Sequence, residues 1–339
     1  MPLPMPPLAI AVAGAACISS SAVVMKLAGS SASVTALGRC AFALPVLGLL
    51  TMLDRRRGAA PLAARGRWLA RLSGVFLAAD LVLWSHSIAA IGAGLGTVIP
   101  NLQVLIISLL GWLVLGERPR RSLMFAAPVM LAGLVLVGGL TGAHAYGADP
   151  ALGVVEGGGV AVLYSLYILT LRQATSPASF GGSSIGSPAV AAPRPPAVAA
   201  LYEATLGATL GSAVLGLILR DFRLGPAWPA LGWLIMLALT SQVIGWLLIT
   251  VSMPRLPAWM ISVVLLTQPA GSVTLGYLIL GEHPSAVQVL GVALMLVGVL
   301  IAVGKRTAQY EDHPPGPGII EGDIPVEVAV PGGDREAAD

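Results

Sequence analysis

The chain has 339 residues, of which 56% are hydrophobic and only 10% charged, with a mean hydropathy of +0.86. An average soluble domain carries roughly 25% charged residues, so this composition excludes a water-soluble globular protein and makes lipid the solvent. The net charge of +3 and pI near 9.1 do not signal nucleic-acid binding, because the basic residues sit in short loops between apolar stretches.

A spanning helix needs ~20 mostly apolar residues. Such stretches are predicted at 8–28, 32–52, 71–91, 95–115, 122–141, 151–171, 198–219, 229–251, 260–280 and 286–304. The first has no basic segment ahead of it and is read as a retained helix rather than a signal peptide. Cys17 and Cys40, in the first two spans, have no metal spacing and are read as small buried residues, not ligands or a disulfide. Arg39 lies early in span two, and Lys26 follows span one. Lys26 can snorkel to the interface, while Arg39 has Glu156 and Asp80 as candidate partners.

Asp80 is nine residues into span three, near mid-depth, with Trp84 and Ser87 on its face at i+4 and i+7 and His86 on another. A charge there costs ~2.5–3.5 kcal/mol on insertion scales and needs a reason. Two readings stand: a site for a proton, a cation or a cargo amine, or a carboxylate satisfied by a neighbouring helix. Span four holds Asn101 and Gln103, and span six holds Tyr164 and Tyr167, expected as packing or interfacial residues. Residues 172–197 are rich in Pro, Gly and Ser and read as a flexible linker. Span seven opens with Tyr202 and Glu203, the latter a gate residue or an interfacial one. Gln242 and Trp246 share a face of span eight at i+4, an amide and an indole suited to an aromatic-lined site. Gln268 lies in span nine. The tail, 305–339, holds eight of the sixteen acids and is predicted to be disordered. Gly153 with Gly157, and Gly207 with Gly211, have the spacing that lets helix backbones approach closely in lipid.

With the N-terminus in the cytoplasm, fourteen basic residues flank inner loops, among them Arg55, Arg56, Arg57, Arg65, Arg67 and Arg71, against Lys26, Arg220 and Arg223 outside. That bias places both termini inside a multi-pass protein of the cell membrane.

The chain also repeats itself at an offset of 165 residues. Segment 97–119 aligns without gaps to 262–284 with nine of 23 positions identical, including Gln103 with Gln268, Gly116-Glu117 with Gly281-Glu282, and Pro119 with Pro284. Downstream, Met130, Leu131 and Gly133 meet Met295, Leu296 and Gly298. Five spans separate the counterparts. Five is odd, so halves at 8–141 and 151–304 enter the membrane with opposite orientation, an arrangement used by secondary transporters with a central site between the halves. The fold class expected is therefore all-α integral membrane, ten helices as two inverted five-helix repeats. Glu117 and Glu282 end spans four and nine and read as helix-end devices; Gln103 and Gln268, related by the repeat, either converge on the central cavity or bond helices together.

The paired Leu-Gly-Glu-x-Pro ends at 115–119 and 280–284, with Lys26 and Arg39, resemble the EamA-type branch of the drug/metabolite transporter superfamily over residues 8–304. The resemblance implies a carrier without a pore, commonly an exporter of amino acids, other metabolites or toxic compounds. Asn101-Leu-Gln103, where many relatives have a proline, and the long linker depart from the family pattern.

The expected function is export of small metabolites such as amino acids or drug-like compounds by alternating access, with protons as the candidate coupling ion. Cargo or coupling is assigned to Asp80, Trp84, Asn101, Gln103, Gln242, Trp246 and Gln268, and a gate or ion pair to Arg39 and Glu203. A carrier of phosphorylated metabolites or nucleotide sugars needs cationic groups for phosphate, and only Arg39 lies clearly within a span. A non-transporting scaffold would rest on the short tail. No Gly-x-Ser-x-Gly or His-Glu-x-x-His motif occurs, and His86, His144, His283 and His313 are scattered, so no enzyme, cofactor or metal site is expected.

Overall fold

Lipid offers backbone N–H and C=O groups no partners, so a chain this apolar must satisfy them within helices or a closed barrel. The computed structural model describes residues 6–115, 121–138, 145–174, 197–222, 228–252, 264 and 267–304, and among them it is helical with short connections and no strand. Helix α1 comprises Pro7–Ser19 and Ser21–Ala28, and α2 comprises Ala32–Ala41 and Leu44–Arg56. Helix α3 is Ala64–Ile91. Helix α4 joins Ala93–Val98, a tight 3-10 turn at Ile99–Leu102, and Gln103–Leu115. Then come α5 (Arg121–Val137), α6 (Pro150–Ala174) and α7 (Ala197–Leu219). Helix α8 joins Ala230–Leu237, a π-wound segment Ala238–Gly245, and Trp246–Ser252; α9 is Thr267–Leu280 and α10 is Ala286–Gly304.

Among the described residues seven helices are long and apolar enough to cross a membrane, and Ser122–Val137 and Ala286–Ala302 are shorter apolar helices. The ninth predicted span, 260–280, is described continuously only from Thr267. Glu117 with the rest of its helix end after Leu115, Arg255, His144, linker residues 175–196 and the tail from 305 lie outside the described residues. Helix α3 starts seven residues before its predicted span, because exposed Arg65, Arg67 and Arg71 ride on it while Gly66, Ala70, Ser73 and Gly74 are buried.

The breaks have local causes. In α1 the hydroxyls of Ser20 and Ser21 donate back to the carbonyls of Cys17 and Ile18 at 2.7 and 2.6 Å, competing with the helical ladder. In α2 the second segment starts with Pro45 in its first turn, and in α4 Pro100 sits in the 3-10 turn; neither has an N–H to give. Both cysteines are free, Cys40 buried and Cys17, contrary to expectation, only partly so.

Helix α3 packs on α6 and α7, and α8 packs on α1 and α2; α4 pairs with α9, α5 with α10. Exchanging each helix with the one five places on maps these pairs onto one another. The exchange holds at residue level where α5 crosses α10. A Cβ on Gly133 would lie 2.7 Å from Met295, and the positions 165 residues on, Gly298 and Met130, face each other in the same way. The small-residue spacings also lie at crossings: Gly153 and Gly157 admit Ile91 and Ile99, and Gly207 admits the backbone of Arg71.

The connections predicted on the external face are linked in the structure. Glu282 accepts from Lys26 Nζ at 2.9 Å and from the backbone N–H groups of Ala93 and Gly94, at the start of α4, at 2.7 and 3.0 Å. Gln288 accepts from Tyr146 N, Asp149 N donates to Ala90 O, and Asp221 accepts from Ser33 N. Lys26, expected without a fixed partner, thus has one, and Glu282 ends its own helix while capping another. Gly92, at φ 98°, makes the reversal that aims the α4 amides at this carboxylate.

Glu282 is buried and Lys26 is partly exposed, which separates their contributions. Glu282→Ala leaves two buried amides and the lysine unpaired, for an expected loss of about 3–5 kcal/mol. Lys26→Met leaves the amides capped and is expected to cost about 0–1 kcal/mol. Thermal unfolding in detergent measures both, and equal losses would assign the stability to the ion pair instead of the cap.

Candidate functional site

The irregular windings of α4 and α8 place their polar residues at the centre of the bundle. Helices broken at such points suit a binding site, because backbone freed from its own ladder is tolerated in a membrane where it lines a cavity or finds a partner. A cavity of about 820 Å³, counting space at its mouth, lies there. Helix α3 contributes Leu77, Asp80, Leu81 and Trp84 to its wall, and α4 contributes Thr97, Pro100, Asn101 and Gln103. The rest of the wall comes from Arg39 of α2, Tyr164 and Tyr167 of α6, Trp246 of α8, Gln268 with Pro269 of α9, and Ser21 of α1. Mostly apolar walls with a few polar groups are the usual make-up of a small-molecule site.

The charges are arranged unevenly. Arg39 donates from Nε to Gln242 Oε1 at 3.1 Å and from Nη2 to Ser241 Oγ at 3.2 Å, and its guanidinium lies 6.0 Å from the centroid of Trp84. The acid partners considered from sequence are not the ones it takes. Among the described residues Arg39 makes no ion pair: Glu156 lies 3.9 Å from His86, and buried Asp80 Oδ1 has no hydrogen-bond partner. Gln103 Oε1, on the same cavity, is likewise buried without a partner. Two acceptors of this kind each cost about 1–3 kcal/mol unless something else satisfies them.

The remaining expected site residues divide. Trp84 donates from its indole to Gly96 O at 3.1 Å, pinning α3 to α4, while its ring faces the cavity. Asn101 donates to the carbonyls of Thr97 and Val98, where the 3-10 turn leaves the ladder. Gln242 is 1% exposed and bonds Arg39 instead of facing the cavity. Glu203 lies elsewhere: it accepts from Arg71 Nε at 2.7 Å beside a separate hollow lined by Thr51, Arg55 and Tyr202. Tyr164 and Tyr167, expected as packing or interfacial residues, stand on the cavity wall with ring centroids 5.8 Å apart. Their i, i+3 spacing, which puts both rings on one face of span six, was the available signal. Thr97 and Ser21 carried none.

Among the described residues no group of three His, Cys, Asp or Glu side chains is placed to hold a metal. The sequence model of the EamA-like transporter family matches residues 5–139 and again residues 161–304. No curated protein matches the chain. A solved structure described only as "Crystal structure of protein" is similar with a TM-score of 0.57 at 18% identity, covering 89% of this chain and 98% of that one, a likeness of fold.

Proposed function

We propose that this chain, which belongs to the EamA-like transporter family, exports small zwitterionic metabolites of the amino-acid kind across the cell membrane by alternating access. The observation that carries the reading is a cavity with a guanidinium and a carboxylate on its wall that do not pair with each other. Opposite charges in a low-dielectric space attract strongly, and leaving both unpaired is costly. A cargo bearing a carboxylate and an ammonium satisfies both at once, the carboxylate on Arg39 and the ammonium on Asp80. Trp84, Tyr164 and Trp246 supply aromatic surface for an apolar side chain, and Gln103 and Gln268 supply amides to the backbone of such a molecule. When the cargo leaves, Asp80 takes up a proton in its place, which couples export to a proton gradient.

The same reading has ten spans in two inverted halves, both termini cytoplasmic. The 165-residue register, the exchange of Gly133 and Met295 with Gly298 and Met130, and the inner-loop arginines support it. A phosphorylated cargo is disfavoured, since among the described residues Arg39 is the only basic one on the cavity wall.

The test is counterflow in proteoliposomes with a labelled neutral amino acid, its methyl ester and its N-acetyl derivative. Uptake of the zwitterion is expected, with both blocked forms reduced at least ~10-fold, since each loses one charge-assisted contact. Preference for the ester would redefine the protein as a cation carrier. No uptake of any form would remove the amino-acid reading.

A further inference from the structure

Arg39 and Asp80 share a cavity, and Arg39 stacks near Trp84, one helical turn along α3 from Asp80. In a low-dielectric space a guanidinium and a carboxylate on one wall attract strongly, and a guanidinium free of other partners would be drawn to the carboxylate. What holds it is visible. Gln242 Oε1 takes Nε and Ser241 Oγ takes Nη2, two donors of the guanidinium fork fixed from one side. Both acceptors are themselves anchored: the hydroxyls of Ser241 and Ser21 share a hydrogen bond at 2.7 Å, and Gln242 Nε2 donates to Thr205 Oγ1 at 3.4 Å. The chain of contacts ties α1, α2, α7 and α8 around one arginine.

Adjacent residues of a regular α-helix point about 100° apart and do not serve one partner. Ser241 and Gln242 do so here, and they lie in the π-wound segment Ala238–Gly245. Both side chains are fully or almost fully buried, so neither is available to a cargo.

We propose that Ser241 and Gln242 are positioning residues whose task is to hold Arg39 away from Asp80, keeping both charges of the cavity available to the cargo. The role in transport rests on the zwitterion reading; the separation of the two charges does not. In this view the π segment of α8 is a specificity device acting through α2, and Gln242 sets cargo preference without touching cargo.

A double-mutant cycle on thermal unfolding of the purified full-length protein in detergent decides the matter without any ligand. Arg39→Gln, Asp80→Asn and the double variant are compared in the native background and again with Gln242→Leu. The coupling between positions 39 and 80 is expected to be larger by roughly 2–4 °C in Gln242→Leu than in the native background, because the released guanidinium there adds a direct ion pair with Asp80 to the attraction across the cavity. Ser241→Ala provides a second background should Gln242→Leu not fold, with coupling of the same sign. Coupling no larger in either variant background than in the native one overturns the proposal. In counterflow with a labelled neutral amino acid, Gln242→Leu is expected to lower apparent affinity at least ~10-fold while its melting temperature is kept. Absence of uptake by the wild type would sink the zwitterion reading alone, since the unfolding cycle still reports on the clamp.

Discussion

Asp80→Asn is expected to abolish accumulation against a gradient while leaving the protein folded and no less stable. The carboxylate sits in the cavity wall, 5% exposed, and its Oδ1 has no hydrogen-bond partner. Replacing it with the isosteric amide therefore breaks no observed contact, and it removes a charge whose burial is unfavourable. The melting temperature should stay level or rise. Transport should respond in the opposite sense. Cargo loses the partner of its ammonium, worth about 1.5–3 kcal/mol for a charged hydrogen bond, which corresponds to roughly 10–150-fold in affinity. The amide also cannot take up a proton in the cargo's place, so the coupled cycle stops and only passive exchange is left. Counterflow and gradient-driven uptake in the same proteoliposomes separate these two effects. A structural role for Asp80 would reverse the pattern, with stability falling and transport per folded molecule preserved. Because Arg39 is held by Gln242 and Ser241 and not by Asp80, neutralising Arg39 is not expected to rescue Asp80→Asn.

Gly207→Val is expected to prevent folding. Helices α3 and α7 meet backbone to backbone: a Cβ on Gly207 would overlap the carbonyl oxygen of Arg71 and lie 2.8 Å from its carbonyl carbon. From the other side, a Cβ on Gly74 would overlap Ala204 O and lie 2.6 Å from Ala208 N. Backbone atoms inside a helix cannot rotate away as a side-chain end does, so the helices must separate along the crossing. Separation would also pull Asp80, six residues further along α3, out of register with the cavity. A loss above about 4–5 kcal/mol is expected, enough to remove monodisperse protein from detergent extracts. Gly158 is the control. A Cβ there meets nothing within 4 Å, so Gly158→Ala should keep or slightly raise stability through helix propensity. Equal behaviour of the two variants would mean that close approach of α3 and α7 does not hold the bundle together.

The sequence by itself determined the solvent, the run of apolar helices and the register that relates the two halves, because each is a property of composition or of spacing along one chain. Mean hydropathy and sparse charge dictate lipid, and lipid dictates helices. The identity of Gln103 with Gln268, and of Gly133 with Gly298, sets the 165-residue register before any coordinate exists. Polar residues at mid-depth stand out against such a background, which is why Asp80, Gln103, Trp246 and Gln268 were visible as candidates and now line one cavity. Tertiary structure alone decided which of these groups meet. That Arg39 takes Gln242 and Ser241 and not an acid depends on a π-wound segment in another half of the chain, and helix winding of that kind leaves no periodic trace in sequence. That Glu282 caps a helix nearly two hundred residues earlier depends on how α4 and α9 dock, and the entry of Tyr164 and Tyr167 into the cavity wall depends on how α6 packs on α3. The physical reason is common to all three. In lipid, apolar surface is equally content on any face, so burial supplies no signal for the rotation of each helix. That rotation is fixed by hydrogen bonds and close glycine contacts between helices far apart in the chain.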